Sequence, residues 1–347
     1  MIFLRNDWYV ASWSADLAPG ALLGRTIVGE PVVILRKQSG EVAALGDRCP
    51  HRYAPLHRGK LIGDVLQCGY HGLEFEVTGR CVRNPHGKLP RAAVKTYPVI
   101  ERHGMIWIWM GSERADDTLI PDSFAFADDP SRAHVRGYLH VRANYLLVLD
   151  NLMDLSHALY LHADSLATAD MRRDYVVDVQ VQNSKVCVRM NQHDIAPPAF
   201  WRRALGPDIE TVDLHDYTEG ILPSNVVHDV AYSRVGSPPY SPGGASSRSA
   251  HMFTPETATT THYFYCNSRD YGLQSDDVQQ RISTALKAIF GSQDIPMIEA
   301  QQASVGERDL LELRPVTLAT DRAAMLMRLK INKRITAETL ASHPASS

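Results

Sequence analysis

The sequence predicts an α+β protein with two domains, an all-β N-terminal domain and a second domain that combines strands with C-terminal helices. Three observations support this prediction. Short β-rich runs broken by Gly and Pro fill the first third of the chain. Strand-like runs return between about 172 and 270, and helical patterns follow from about 276 onward. The length of 347 residues agrees with two domains at roughly 100–200 residues per domain.

The N-terminal strands are expected in RTIVGEPVVILR, EVAALGD and VLQCGYHGLEFEV. The run MIWIWMG places Trp107 and Trp109 on a further strand, where we expect them to be buried. Residues 111–134 are rich in Asp, Ser and Pro, which predicts a linker between domains. We therefore expect domains at residues 1–115 and 116–347.

The second domain begins with a segment, residues 141–162, whose dense apolar side chains are spaced for a helix. Strands are expected in DYVVDVQVQ, KVCVRMNQ and TTTHYFYCN. Residues 233–249 are rich in Gly, Pro and Ser, which predicts a surface loop or a lid over a pocket. The runs DDVQQRISTALKAIF and QDIPMIEAQQASV read as helices, and we expect the last dozen residues to fray.

Composition excludes several classes of function. The net charge of −3 gives no basic footprint for nucleic acid and no strong attraction to a membrane surface. The chain has no run of about 18 apolar residues, so no transmembrane helix is expected. The N-terminus lacks the features of a signal peptide, which predicts a cytoplasmic protein. The five cysteines are odd in number and sparse, which argues against a disulfide framework.

Two short Cys–His pairs form the first candidate metal site. Cys49-x-His51 is followed, after sixteen residues, by Cys68-x-x-His71. A tetrahedral zinc ion accepts such a set. The alternative is a Rieske [2Fe-2S] cluster, in which two cysteines hold one iron and two histidines hold the other. Pro and Gly around both pairs favour the cluster, because tight turns offer backbone N–H groups to its sulfide. Cys81 lies outside the pattern and is expected to be a packed thiol.

The stretches CPHR, CGYHGLEF and NLMDLSHALYLH resemble the oxygenase component of Rieske non-haem iron oxygenases. Further stretches resemble the branch that contains vanillate O-demethylase and dicamba monooxygenase: RNDWYVAS, CVRNPHG, MIWIWMG, APPAFWRRAL and TPETATTTHYF. The resemblance covers nearly the whole chain. It implies an N-terminal Rieske domain and a helix-grip catalytic domain, with a central antiparallel sheet and C-terminal helices.

The resemblance also implies a mononuclear non-haem Fe(II) held by His157 and His162, the family's His-x4-His pair. Two histidines and one carboxylate leave coordination positions open for dioxygen and substrate. On a regular helix, two residues five apart lie about 140° apart around the axis. We therefore expect the helix to end, kink or widen to a π-type turn between them. The alternative is a continuous helix whose histidines have no shared role.

The third iron ligand is expected among the carboxylates of the C-terminal part, which are Asp270, Asp276, Asp277, Asp294 and Glu299. Asp294 lies in GSQDIPMIEAQQ, which resembles the family segment that bears the iron aspartate. Asp276 and Asp277 fit better as helix-start residues after Ser275. We therefore assign the third ligand to Asp294.

Asp154 has a different role under the resemblance, which implies an aspartate that bridges an iron histidine to a Rieske histidine of a neighbouring subunit. The implied path is His71, Asp154, His157. Asp154 precedes His157 by three residues, so we expect both on one helical face. A carboxylate can accept N–H bonds from two imidazoles. The simpler alternative is an acid that balances a helix dipole. Asn151, one turn earlier, is expected in the same region.

The implied activity is that of a terminal monooxygenase in aromatic catabolism that uses O2 and two electrons. The chain contains no glycine-rich flavin or nicotinamide fingerprint. The electrons are therefore expected from a separate flavin- or ferredoxin-type reductase that oxidises NAD(P)H. An inter-subunit electron path implies a homotrimer. The first-choice reaction is O-demethylation of a vanillate-like methoxybenzoate, which releases formaldehyde.

Two kinds of alternative stay open. The same iron chemistry can hydroxylate a ring or methyl group of another aromatic acid or polycyclic compound. A different class of protein is a Rieske electron carrier or a zinc-binding structural protein without oxygenase activity. An electron carrier should end near residue 120, and the further residues of this chain argue against it.

Substrate contacts are expected from five polar side chains of the second domain: Asn225, His228, His251, Arg202 and Arg203. The two arginines are candidate partners for a substrate carboxylate. By resemblance, His251 matches a position that contacts substrate in the dicamba enzyme. Ala285 takes the place of a large aromatic contact in that enzyme, which implies a differently shaped pocket.

Overall fold

The computed structural model describes residues 3–172 and 177–342. Two compact units are present. The first comprises residues up to Ile120 together with residues 254–258 and the chain from Glu338. The second comprises Pro121–Phe253 and Thr259–Ala337. Within the described residues, no helix is long and apolar enough to cross a membrane.

The first unit is built from three small antiparallel sheets. Their strands are β1 (Trp8–Trp13), β2 (Leu22–Ile27), β3 (Glu30–Arg36), β4 (Val42–Gly46), β5 (Lys60–Ile62), β6 (Val65–Gln67), β7 (Glu74–Phe75), β8 (Cys81–Arg83), β9 (Thr96–Tyr97), β10 (Val99–Arg102) and β11 (Met105–Trp109). The strand orders are β1-β11-β10, β2-β3-β4-β9 and β5-β6-β7-β8. Trp107 and Trp109 are buried on β11, as predicted.

The sheet β5–β8 packs on a core that includes the two motif cysteines. Cys49 and Cys68 are buried with Leu56, Leu66 and Phe75. Cys81 belongs to the same core, and burial raises the pKa of its thiol. The prediction that Cys81 is a packed thiol is therefore confirmed.

The second unit contains a seven-stranded antiparallel sheet with the order β12-β18-β17-β16-β15-β14-β13. Its strands are β12 (Ala133–Val141), β13 (Val177–Gln182), β14 (Lys185–Ile195), β15 (Val212–Ile221), β16 (Asn225–Ser233), β17 (Ala245–Thr257) and β18 (Thr260–Arg269). The predicted antiparallel sheet is confirmed. The start of the predicted strand DYVVDVQVQ, at 174–176, lies outside the described residues.

The helices are α1 (Tyr145–Met153), α2 (Ala158–Leu161), α3 (Ala199–Leu205), α4 (Asp276–Ala288), α5 (Ile295–Val305) and α6 (Arg322–Ser342), with a π-helical turn at Ile289–Asp294. Ser275 caps α4 by accepting a hydrogen bond from the Val278 N–H, and Asp276 and Asp277 occupy the first turn. The prediction that these two acids start a helix is therefore confirmed.

The structure differs in detail from three sequence predictions of local structure. The expected linker at 111–134 contains the boundary between the two units, after Ile120, and it also holds a 3-10 helix at Asp122–Asp128 whose Phe124 is fully buried. The loop expected at 233–249 is irregular only over 234–244, because β16 ends at Ser233 and β17 begins at Ala245. Of the last dozen residues, which were expected to fray, those up to Ser342 continue α6, and 343–347 lie outside the described residues.

Candidate metal centres and active-site cavity

The Cys–His pairs lie on two tight turns of the first unit. The Tyr53 N–H donates to the Cys49 carbonyl at 2.8 Å, and the Gly72 N–H donates to the Cys68 carbonyl at 3.1 Å. A Cβ atom at Gly69 would lie 2.7 Å from the carbonyl oxygen of Arg58, so the second turn requires glycine there. These turns bring all four side chains of the motif to one end of the unit.

The four donors separate into a buried pair and a more exposed pair. Both cysteines are 2% exposed, and burial followed by the neighbouring Cys68 raises the pKa of Cys49. The rings of His51 and His71 lie side by side with centroids 4.6 Å apart. In the described part of the chain, these donors do not gather into a single group of three or more around one point. Two thiols inside and two imidazoles outside therefore fit a two-iron cluster better than one zinc ion.

The chain around His157 and His162 breaks into short pieces. α1 ends at Met153, and Asp154 adopts an extended conformation with φ −126° and ψ 96°. The Asp154 carboxylate accepts from the Ser156 N–H at 2.9 Å and starts the 3-10 turn Leu155–His157. α2 follows and ends at Leu161, and its C-cap residue His162 has a φ of −116°. The irregularities thus lie before His157 and at His162, and the two imidazole rings are arranged edge to face with centroids 5.3 Å apart.

Asp294 joins the two histidines from the π-helical turn after α4. Its Oδ1 lies 3.0 Å from His162 Nε2 and 3.4 Å from His157 Nε2. Among the described residues, these three form the group whose ligand atoms all lie within 4.8 Å of one another. The helix was expected to end, kink or widen to a π-type turn between the two histidines. In the structure α2 ends at Leu161, directly before His162, and the π-helical turn lies instead on the segment that carries the carboxylate.

The other carboxylates considered as ligands are engaged elsewhere. Glu299 accepts from Arg142 Nη2 at 2.7 Å, and Asp270 accepts from Ser246 Oγ at 2.5 Å. Asp294 itself is buried, which favours the neutral acid, but His157 and His162 outweigh burial and lower its pKa. The carboxylate is therefore ionised between two imidazoles.

Hydrogen bonds at Nδ1 set the orientation of both imidazoles. His157 Nδ1 lies 2.8 Å from the Asp154 carbonyl, and His162 Nδ1 lies 2.7 Å from Gln293 Oε1. Each partner is an acceptor, so each Nδ1 donates a proton and each Nε2 is directed toward Asp294, where it can bind a metal ion in place of a proton. Two Nε2 atoms and one carboxylate are the donor set of a non-haem Fe(II) facial site, and these residues fit that ion.

Asp154 and Asn151 contact the ligand group in different ways. The expectation that Asp154 and His157 share one helical face is wrong, because α1 ends before Asp154. Asp154 meets His157 through its backbone carbonyl instead. Asn151 Nδ2 lies 3.4 Å from Asp294 Oδ1, while Asn151 Oδ1 is buried without a hydrogen-bond partner in the described structure.

A cavity of about 140 Å³ opens beside the ligand group. Most of its wall is apolar, with Leu159, Leu166, Met190, Trp201, Leu214, Leu286, Ile289 and Phe290. Polar side chains project from the sheet, namely Asp216, His228, Ser247, Ser249, His251 and Asn267. This lining suits an aromatic ring with a small number of polar substituents.

Like Asn151, His251 is a buried polar residue of this cavity without a full set of partners among the described residues. Its Nδ1 lies 2.8 Å from the Tyr263 hydroxyl, and its Nε2 has no partner among the described residues. Burial, followed by the nearby His228, lowers the pKa of His251 to about 3. His251 is therefore neutral at physiological pH.

His228 differs because Asp216 accompanies it, with Nε2 and Oδ1 3.1 Å apart. Burial lowers the pKa of His228, but the Asp216 carboxylate outweighs burial and the net shift is upward. The cavity thus combines one neutral imidazole with one imidazole that is paired with an acid.

Three of the five expected substrate contacts do not line this cavity. Asn225 donates from Nδ2 to the Leu222 carbonyl at 3.4 Å. Arg202 and Arg203 are exposed on α3, where Arg202 Nη2 donates to the Pro197 carbonyl at 3.3 Å. Arg203 lines a separate groove. The structure does not bring these three side chains to the cavity, and a contact of each with substrate stays a prediction.

The sequence did not predict Ser247 and Ser249 of β17, Asn267 of β18 or Gln293 as residues of the site. Ser247, Ser249 and His251 alternate along β17, so they project from the same face of the sheet. Once His251 had been chosen as a candidate, this period of two residues could have predicted that Ser247 and Ser249 project from the same face. Gln293 precedes Asp294 and had no signal of its own.

Two family models match the chain. Residues 7–98 match the Rieske [2Fe-2S] domain, and residues 141–337 match the vanillate O-demethylase oxygenase C-terminal domain. The two Cys–His turns lie in the first match, and the His157, His162 and Asp294 group lies in the second.

The chain is similar over nearly its whole length to proteins of known activity. The oxygenase component of chloroacetanilide N-alkylformylase from Rhizorhabdus wittichii is 36% identical and covers 97% of both chains. The oxygenase component of dicamba O-demethylase from Stenotrophomonas maltophilia is 36% identical over 96% of this chain and 98% of that protein. The crystal structure of dicamba monooxygenase bound to 3,6-dichlorosalicylic acid matches with a TM-score of 0.90 at 36% identity, and the match covers 97% of this chain and 99% of that one.

Proposed function

This chain belongs to the Rieske non-haem iron oxygenase components that include vanillate and dicamba O-demethylases, and we propose that it demethylates a methoxybenzoate. It is an oxidoreductase that uses O2, and its cofactors are a Rieske [2Fe-2S] cluster and a mononuclear non-haem iron. As an oxygenase component it receives its electrons from a reductase. In the proposed reaction, an aryl methyl ether, O2, two electrons and two protons give a phenol, formaldehyde and water.

The proposed holders of the two groups follow from the donor sets described above. Cys49, His51, Cys68 and His71 would hold the cluster, and His157, His162 and Asp294 would hold the iron. When bound, the cluster supplies electrons and the iron activates dioxygen. Asn151 lies next to Asp294 and can donate to its oxygen, which stabilises the ionised carboxylate.

The observation that carries the choice of substrate is the unpartnered Nε2 of His251. The Tyr263 hydroxyl stays protonated, because burial raises its pKa well above the usual value. If Tyr263 donates to Nδ1, the neutral ring carries its proton on Nε2 and offers it to an acceptor in the cavity. A benzoate carboxylate is such an acceptor, and a buried donor without one is costly.

The cavity size supports a substrate with a single ring. A dry apolar cavity of about 150 Å³ in another protein accommodates benzene, and the cavity here measures about 140 Å³. Trp201 and Phe290 supply aromatic surface on its wall. We propose His228 as a second polar contact, since its imidazole also lines the cavity.

A screen of methoxybenzoates with a generic reductase tests this proposal. We expect formaldehyde to form in proportion to O2 consumed, and we expect His251→Ala to raise KM for benzoates more than it lowers kcat. The iron content should stay constant in that variant, because His251 is not among the ligand residues. Oxidised products that keep the methoxy group would contradict O-demethylation and favour hydroxylation of a ring or methyl group.

The second candidate keeps the iron chemistry and changes the substrate. It is favoured by the relatives, which at similar identity are named for chloroacetanilide and toluene-4-sulfonate as well as for dicamba and vanillate. Mass spectrometry of the products from matched methoxy- and methyl-substituted benzoates separates the two candidates.

We further propose that Asp154 couples the iron site to a Rieske histidine of a neighbouring subunit in a homotrimer. Its backbone carbonyl accepts a hydrogen bond from His157 Nδ1, which supports a link between this segment and the iron site, while its carboxylate caps the 3-10 turn by accepting from the Ser156 N–H. The proposed domains are residues 1–115 for the cluster and 116–347 for catalysis. The first segment of the first compact unit ends at Ile120, which supports a boundary in this region.

A further inference from the structure

A second groove of about 480 Å³ lies between α3, α4 and the turn that follows β18. Its lining is Ala199, Phe200, Arg203, Ala204, Tyr271, Gly272, Val278, Arg281, Ile282 and Ala285. The groove adjoins the active-site cavity, because Phe200 lines both spaces. α4 also borders both, with Leu286 on the cavity and Ala285 on the groove.

The groove has an uncompensated positive charge. Arg203 is exposed and makes no hydrogen bond or ion pair within the described residues. Arg281 differs, since its Nε lies 3.0 Å from the Asp277 carboxylate. None of the lining residues is acidic. Arg203 therefore stands as a free cation beside apolar surface from Phe200 and Ile282.

Ala285 keeps this groove open. An aromatic side chain at 285 would project into the groove and reduce its volume, because Ala285 lines it. Tyr271 adds a hydroxyl that stays protonated, since burial raises its pKa to about 12.

We propose that the groove is a second carboxylate-binding position of the substrate site, with Arg203 as the cationic partner. It serves aromatic substrates whose carboxylate stands on a short aliphatic chain, so that the ring occupies the cavity while the carboxylate reaches the groove. Phe200 forms the shared wall, and its half-buried side chain must turn aside for the aliphatic chain to pass. This inference rests on the proposed function for the position of the ring, and it adds arylalkanoates to the substrate class.

The test is calorimetric titration of the metal-loaded oxygenase without O2 or reductase. The probes are 3-(4-methoxyphenyl)propanoate, its neutral amide and 4-methoxybenzoate. We expect Arg203→Gln to raise the ratio of the propanoate Kd to the benzoate Kd about 5-fold, the upper range for an exposed ion pair. Arg203→Lys should restore part of this ratio. Arg202→Gln is the matched control, because Arg202 neighbours Arg203 but does not line the groove.

A second variant fills the groove and does not depend on charge. Ala285→Trp should weaken binding of the propanoate and its amide alike. An unchanged ratio in Arg203→Gln, equal wild-type affinity for propanoate and amide, or no wild-type binding of the propanoate would overturn the inference.

Failure of the inference and failure of the proposed function give different results. If methoxybenzoates release formaldehyde while the Arg203 variants leave the ratio unchanged, the groove assignment alone fails. If the ratio depends on Arg203 but no aryl ether is demethylated, the groove assignment stands and the reaction assignment fails.

Discussion

Gln293 offers a sensitive test of how the protein prepares its iron site. Its Oε1 accepts from His162 Nδ1 at 2.7 Å, and His162 is only 2% exposed. Replacement by Leu removes the acceptor and leaves a buried N–H unpaired, which costs about 1–3 kcal/mol. Loss of such an outer hydrogen bond lowers metal affinity about 10- to 100-fold, or about 1.4–2.8 kcal/mol. We therefore expect Gln293→Leu to weaken iron binding by that factor.

The assay is competition between the apoprotein and a chromophoric chelator for Fe(II), with the Rieske absorbance as an internal measure of folding. Gln293→Glu retains an acceptor at the same position and should keep most of the affinity. Ser292→Ala, at an exposed position in the same π-helical turn, serves as the matched control. If Gln293→Leu binds Fe(II) as tightly as wild type, packing alone orients His162 and the hydrogen-bond argument is refuted.

Three further predictions concern the ligand group and the cavity. Asp294→Ala should abolish mononuclear iron binding and product formation while the Rieske spectrum persists; iron analysis that shows full occupancy would reject Asp294 as a ligand. Asp154→Asn should keep both metal centres occupied yet greatly slow product formation, and unchanged coupled turnover would rule out a bridging role. His251 has a pKa of about 3 in the folded protein against an ordinary value of 6.5. A histidine with a lowered folded pKa favours the folded state above the unfolded pKa, and this stability is lost as pH falls from 6.5 toward 3. Since one pKa unit corresponds to about 1.4 kcal/mol, urea unfolding of His251→Gln should show a shallower loss of stability than wild type between about pH 6 and pH 4. Parallel pH profiles for the two proteins would contradict this assignment.

The metal-binding motifs were the part of the site that local sequence described best. Cys49 and His51 share one turn, and Cys68 and His71 share another, so their proximity needs little more than the turns themselves. His157 and His162 are likewise neighbours along the chain. The family resemblance supplied Asp294, and the structure shows why it can reach them, since the π-helical turn orients it toward both Nε2 atoms.

At Asp154, the helical spacing of residues predicted the wrong local structure. Spacing alone placed Asp154 and His157 on one helical face, yet the helix stops at Met153. An Asp side chain can bond a backbone N–H two residues onward, and here it bonds that of Ser156. That local hydrogen bond competes with continuation of the helix, and the spacing of apolar residues does not predict it.

The sequence by itself determined the chemistry of this protein, because cluster and iron ligands are recognisable residue types at short, characteristic spacings. Only the tertiary structure decided which polar side chains line the cavity. His228 and His251 reach one cavity because β16 and β17 pair side by side, while Arg203 faces a separate groove beside α4. Side-chain direction depends on strand register and helix packing, and these arise from contacts between segments far apart in the chain.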